Sequence, residues 1–129
     1  MSNPDALVRQ FCALWNDPDP QKMASYFSED AVYHNIPMAP IVGRENIEAF
    51  ITGFISAFER IDFHIHRQIA DGETVMNERT DTLHGLNGQS TPLPVMGVFE
   101  IVDGKISAWR DYFDMAAITA AIAGTPDPA

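Results

Sequence analysis

The sequence predicts an α+β domain in which one curved, mostly antiparallel β-sheet wraps around helices and forms a cone with a deep pocket. Before Arg60, apolar residues recur mainly at helical spacing, whereas from Ile61 onward they alternate with polar residues at a period of two. The dipeptides Asp71-Gly72 and Asp103-Gly104 are two-residue hairpin signals. The later strands are therefore expected to pair antiparallel in a mixed sheet of about four to six strands.

Two helices are expected at the N-terminal end. Asn3 and Pro4 form a capping pair, and one apolar stripe follows at Leu7, Val8, Phe11, Leu14 and Trp15. This helix should end before the turn signals of residues 17–20. Asp19 and Pro20 then begin a shorter helix around residues 23–27.

A strand, a proline-rich loop and a second long helix follow. Residues 31–36 are predicted as a short strand, which Pro37 and Pro40 interrupt because proline cannot donate to a β-ladder. From Gly43 the strongest amphipathic pattern of the chain begins, with apolar positions at Ile47, Phe50, Ile51, Phe54 and Phe58.

The second half of the chain is read as strands ending in a helix. The expected strands are residues 61–66, 73–84, 93–102 and 105–113. Asp114 can cap a final helix that ends at Gly124, and residues 125–129 are expected to be a flexible tail. We therefore predict a single domain over residues 1–124.

Composition restricts the classes of partner. The 129 residues contain 18 acidic and 8 basic side chains, and a formal charge of −10 repels nucleic acid and anionic membranes. The single Cys12 allows no internal disulfide, and we see no signal segment or long apolar run. A cytoplasmic protein acting on a small molecule is the expectation.

One strand carries a line of polar side chains. In residues 73–84, alternation places Val75, Asn77, Arg79, Asp81 and Leu83 on one face, and Met76, Glu78, Thr80 and Thr82 on the other. Either face could lie inside, and an exposed Arg79–Asp81 pair would contribute only about 0 to 1 kcal/mol. This strand alone does not identify a site.

The last strand favours an internal site. Trp109, Asp111 and Phe113 share a face, so one carboxylate lies between two aromatic rings. A buried Asp111 needs a cationic or hydrogen-bonding partner, and Arg79 could supply it across the concave sheet.

Other polar groups carry weaker signals. Tyr33 and Asn35 lie two apart on a strand and offer a phenol and an amide on one side. His64 and His66 could face a metal ion, but no third ligand stands at a useful spacing, and a solvated or dimer-facing surface is the alternative. Cys12 lies on the core side of a helix without an evident activating base.

Three segments together resemble the active-site set of the limonene-1,2-epoxide hydrolase family: Tyr33-His34-Asn35, Arg79-Thr80-Asp81 and Trp109-Arg110-Asp111-Tyr112-Phe113. The resemblance extends over nearly the whole domain. It implies the cone-shaped, cystatin-like fold of nuclear transport factor 2 and the ketosteroid isomerases. It also implies a homodimer that needs no cofactor and hydrolyses epoxides to vicinal diols.

The resemblance implies a role for each matching residue. Asp111, Tyr33 and Asn35 would hold one water, and Asp111 would remove its proton. Asp81 would protonate the epoxide oxygen, and Arg79 would bond both carboxyl groups.

The chemistry is consistent with these roles, because an activated water and an acid lower the barrier to epoxide opening from both ends. One carboxyl must be ionised and the other protonated, which requires burial and a like charge to outweigh the arginine at Asp81. Leu83, Trp109 and Phe113 flank the acids and are the expected apolar walls for a small epoxide.

Two other functions stay open at this stage. An isomerase or cyclase could use a tyrosine and a carboxylate in the same pocket, although a cationic arginine fits a pair of acids holding water better. A non-catalytic ligand-binding or dimerisation module would also fit the fold. It would be favoured if Arg79, Asp81 and Asp111 were exposed and more than about 6 Å apart.

Overall fold

The computed structural model describes residues 3–123 and contains four α-helices and six strands over that range. The helices are α1 (Pro4–Ala13), α2 (Pro20–Ala24), α3 (Arg44–Ile55) and α4 (Met115–Ala123). The strands are β1 (Phe27–Asn35), β2 (Ile41–Val42), β3 (Phe58–Asp71), β4 (Thr74–Gly85), β5 (Ser90–Val102) and β6 (Lys105–Tyr112). The helix end predicted at Gly124 and the predicted tail at 125–129 lie outside the described residues.

All six strands form one sheet in the order β2-β1-β6-β5-β4-β3. Neighbouring strands are antiparallel except β1 and β6, which run parallel with Tyr33 opposite Trp109 and Asn35 opposite Asp111. The predicted α+β class and its mixed, mostly antiparallel sheet are confirmed. The parallel pair brings a segment from the first third of the chain beside the last strand.

Asp103-Gly104 forms its turn where it was predicted, whereas the first turn lies one residue later than predicted, at Gly72 and Glu73. Gly72 has a φ of 61°, and Asp103 and Gly104 have φ values of 51° and 75°. In the second turn, positive φ at both central residues matches the right-handed twist of the flanking strands, whereas in the first turn only Gly72 has a positive φ. These turns join β3 to β4 and β5 to β6, and they fix the register of those two strand pairs.

Two predicted boundaries in the first half are wrong. The second helix ends at Ala24, and β1 begins at Phe27 instead of residue 31. Phe27 is fully buried and lies opposite Ile106, so pairing with β6 extends the strand. Local periodicity could not show this pairing because the two residues are far apart in sequence.

The long helix and the third strand also differ from the prediction. α3 ends at Ile55, and Phe58 belongs to β3, although its ring still packs 5.2 Å from that of Phe54. β3 continues to Asp71, beyond the predicted end at residue 66, because its ladder with β4 runs to the turn. Most of that extension is exposed, so it shows no apolar alternation.

The helices contact one face of the sheet and enclose the core. α1 packs on β3 and β4, α3 on β1 and β3, and α4 on β4 and β5. At the centre the Trp109 ring lies 5.1 Å from Phe11, 4.3 Å from Tyr33 and 5.2 Å from Phe99, measured between centroids. Within residues 3–123, each helix is too short or too polar to traverse a lipid bilayer.

Candidate active site

The polar face of β4 points into the protein. Asn77 and Arg79 are each 1% exposed and Asp81 is 4% exposed, whereas Met76 on the opposite face is 49% exposed. Asp111 on β6 is also 4% exposed. The face that alternation left undecided is therefore the inner one, as the aromatic residues around Asp111 indicated.

Arg79 bridges two carboxylates. Its Nε and Nη2 donate to Asp81 at 3.0 and 2.8 Å, and its Nη1 and Nη2 donate to Asp111 at 3.2 and 2.7 Å. Both acids thus receive the paired hydrogen bonds that a guanidinium is shaped to give. The condition that favoured a binding module, exposed and widely separated groups, is not met.

Gly97 makes room for this bridge, a role that the sequence reading missed. β5 separates β4 from β6, and Gly97 lies in its middle between Asn77 on one side and Asp111 on the other. A Cβ at this position would stand 2.8 Å from Asp111 Oδ1 and even closer to Arg79 Nη1. The guanidinium can cross β5 only because no side chain stands there.

Trp109 has a different place from the predicted one. It is fully buried, stacks on Tyr33 at an interplanar angle of 6°, and donates from Nε1 to Asp111 Oδ1 at 2.7 Å. It does not line the cavity, so its predicted role as an apolar wall is replaced by that of a hydrogen-bond donor. The reason is its position in the centre of the aromatic core.

An apolar cavity lies over the two acids. It contains about 460 Å³ of space, part of it open to solvent. Tyr33, Asn35, Asp81 and Asp111 reach it together. The apolar lining consists of Trp15, Met38, Phe50, Phe54, Ile61, Phe63, Leu83, Leu93, Val95, Phe113 and Ile118, a set that includes two of the three predicted walls.

Burial dominates the electrostatics of the site. It raises the pKa of Asp81 to about 6, because desolvation outweighs the lowering by Arg79 and the Asp111 charge adds to the rise. Burial also raises the pKa of Tyr33 far above its ordinary value, so the phenol stays neutral. Burial raises the pKa of Cys12 to about 12, which leaves an unreactive thiol.

Asp81→Asn should change how stability depends on pH. Folded wild-type protein binds a proton at Asp81 between about pH 4 and 6, where the unfolded chain has already lost it, so stability falls as pH rises through that window. The pKa of Asp81 differs by about two between the folded and unfolded protein, which corresponds to about 3 kcal/mol. Between pH 4 and pH 8, the free energy of unfolding of the variant, measured with urea, should therefore rise by that amount relative to wild type. Parallel pH dependences for the two proteins would contradict the raised pKa.

The histidine pair on β3 does not join this site. The His64 and His66 rings lie 4.8 Å apart, and His66 Nε2 lies 2.7 Å from the Thr80 hydroxyl on the outer face. Across residues 3–123 no three His, Cys, Asp or Glu side chains are grouped closely enough to hold a metal ion.

The SnoaL-like domain family matches residues 8–109, a range that contains most of the sheet and four of the five predicted catalytic positions. This chain belongs to that family. The SnoaL-like domain is 34% identical over 110 residues to epoxide hydrolase EphG of Mycobacterium tuberculosis strain ATCC 25618 / H37Rv. That match covers 84% of the chain and 71% of the relative.

Solved structures place the SnoaL-like domain in the predicted fold. An epoxide hydrolase of the limonene-epoxide-hydrolase-like type from M. tuberculosis superposes with a TM-score of 0.74 at 28% identity, covering 95% of this chain and 96% of the other. A Catenulispora acidiphila protein with a ketosteroid isomerase-like fold, solved with trimethylamine, superposes at 0.81 with 20% identity, covering 93% of each chain. The predicted family resemblance and fold are confirmed, and the chain is a homologue of an epoxide hydrolase.

Proposed function

We propose that this protein is a cofactor-independent epoxide hydrolase of the limonene-1,2-epoxide hydrolase type, which adds water directly to an epoxide and releases a vicinal diol. The observation that carries the proposal is the buried array in which Arg79 bonds both Asp81 and Asp111 beside an apolar cavity. The similarity to a relative that is named an epoxide hydrolase supports it.

Asp111 is proposed as the general base. Arg79 and Trp109 donate to its carboxylate, which holds it in one orientation while it still reaches the cavity. Asn35 lies opposite Asp111 in the parallel β1–β6 ladder, with Tyr33 two residues before it. A water bound by these three groups would lose its proton to Asp111 as it attacks.

Asp81 is proposed as the general acid. Its pKa of about 6 makes the protonated form accessible near neutral pH. With Asp81 protonated and neutral, the negative charge on Asp111 balances the positive charge on Arg79. The net charge of the three groups is then zero, which a dry cavity tolerates. Asp81 would donate its proton to the epoxide oxygen as the C–O bond of the ring breaks.

The cavity lining supports a small apolar epoxide as substrate, with Leu83 and Phe113 among the walls that contact it. We further propose a homodimer, as the family resemblance implies, and the cytoplasmic location that the sequence led us to expect. Half-exposed apolar residues on the outer face of the sheet, Met76, Met96 and Tyr112, are compatible with pairing of two copies.

A single turnover in heavy-oxygen water should place the label in the diol and leave the protein unlabelled. Direct addition draws the new oxygen from water, whereas a covalent ester would pass a carboxylate oxygen to the product. Terpene, cycloalkene and styrene-type epoxides serve as substrates, each tested with and without a chelator. Mass spectrometry then measures the heavy-oxygen label in the diol and in peptides of the protein.

Labelled Asp81 or Asp111 would contradict direct addition. Steroid-enone isomerisation without diol formation from any epoxide would contradict the proposed function and favour an isomerase.

A further inference from the structure

Asn77 completes the hydrogen bonding of Arg79. A guanidinium carries five N–H donors, and four of the five bonds that Arg79 makes go to Asp81 and Asp111. The fifth runs from Nη1 to Asn77 Oδ1 at 3.0 Å. Asn77 is 1% exposed and does not line the cavity, so it touches the arginine and not the substrate space.

A chain of hydrogen bonds aims the Asn77 oxygen at the arginine. Gln68 Nε2 donates to Asp5 Oδ1 at 2.8 Å and to the Asp5 carbonyl at 3.0 Å. Its oxygen then accepts from Asn77 Nδ2 at 3.1 Å. Asp5 can only accept and Arg79 can only donate, so both ends require the same orientation of the two amides.

We propose that Asn77 is a positioning residue: its amide oxygen, oriented by Gln68 and Asp5, holds Arg79 in the place from which it divides its donors between the two catalytic carboxyls. The inference rests on the proposed function for the roles of those carboxyls. The positioning chain extends the site to α1 through Asp5 and, through Gln68, to the end of β3 that lies next to the turn into β4.

The neutrality of Asn77 is part of this role. The titratable groups that face the array are Cys12 from α1, Tyr33 from β1, Arg79 and Asp81 from β4, and Asp111 from β6. β5 contributes Gly97 and β3 contributes Phe63, whose ring lies 4.6 Å from the guanidinium carbon. Arg79 is therefore the one cation among these groups, and a third carboxylate at residue 77 would compete for it.

Asn77→Asp tests the charge at nearly constant volume. A negative charge beside the array raises the proton affinity of both acids. The acidic and basic limbs of the pH dependence of kcat/KM for epoxide hydrolysis should both shift to higher pH, by about one pH unit or more. The ¹³C-carboxyl NMR titration of Asp81 should move the same way. Gln89→Glu, the same amide-to-acid change in the exposed β4–β5 loop, should leave both readouts at wild-type values.

Asn77→Leu tests the acceptor. It leaves one buried N–H of Arg79 without a partner, so kcat should fall about tenfold to a hundredfold while KM changes less than about threefold. Unchanged pH limbs and an unchanged Asp81 titration in Asn77→Asp would overturn the proposal, as would wild-type kcat in Asn77→Leu. The NMR titration needs no turnover, so an unchanged Asp81 titration would overturn the positioning role even if no epoxide is hydrolysed and the proposed function fails.

Discussion

Asp111→Asn and Asp81→Asn should each lower kcat for epoxide hydrolysis by about a thousandfold or more. An amide at 111 cannot take the proton of the attacking water, and an amide at 81 cannot protonate the departing oxygen. Asp81 and Asp111 are the two acidic residues among the described residues that line the cavity, so no third carboxyl there can replace either. Steady-state diol formation, followed by gas chromatography, measures the loss.

These variants should remain folded, since asparagine has the shape of aspartate and still offers Arg79 an oxygen. Circular dichroism checks this point. Asp103→Asn is the matched control: it makes the same change in an exposed hairpin at a φ of 51°, which asparagine adopts readily. It should keep wild-type activity. Turnover at the wild-type rate in either active-site variant would remove that residue from the mechanism.

Gly97→Ala should reduce both activity and stability. The added methyl would stand 2.8 Å from Asp111 Oδ1 and 3.0 Å from Asn77 Oδ1, and closer still to Arg79 Nη1. These groups are buried, so they can move only by breaking their mutual bonds. We expect about 3 kcal/mol less free energy of unfolding and about a hundredfold lower kcat.

Gly53→Ala is the matched control for this substitution. Gly53 is exposed on α3, and a Cβ there would meet nothing within 4 Å. Alanine favours the helix, so this variant should be unchanged or stabilised by up to about 1 kcal/mol. Urea unfolding and diol assays compare the two. Equal stability and activity of Gly97→Ala and wild type would show that the guanidinium does not need the gap in β5.

The strand pattern and the hairpins were predictable because they depend on neighbouring residues. Alternation in β4 placed Arg79 and Asp81 on one face, and Asp103-Gly104 turned the chain into β6, where the aromatic residues around Asp111 indicated an interior. Tyr33 joins them through the parallel pairing of β1 with β6, which no local pattern specifies. Its place in the site was inferred from the family resemblance.

Three residues were missed or misplaced because their roles depend on contacts between elements that are distant in sequence. Gly97 matters only because β5 lies between β4 and β6, so that Arg79 must cross it. Asn77 shared the predicted face, but its acceptor role depends on Gln68 reaching it from β3. Trp109 was taken as a cavity wall, whereas the aromatic core around it buries the ring and leaves its N–H to Asp111.

Residue order along the chain thus specified the periods of the helices and strands, the turns between them and the side chains that share each face. Those features follow from backbone geometry over a few residues. Which face became the interior, how far Arg79 lies from each acid and whether Asp81 holds a proton near pH 6 were decided by packing. Desolvation and Coulomb energies depend on everything that surrounds a charge in space, and most of those neighbours are distant in sequence.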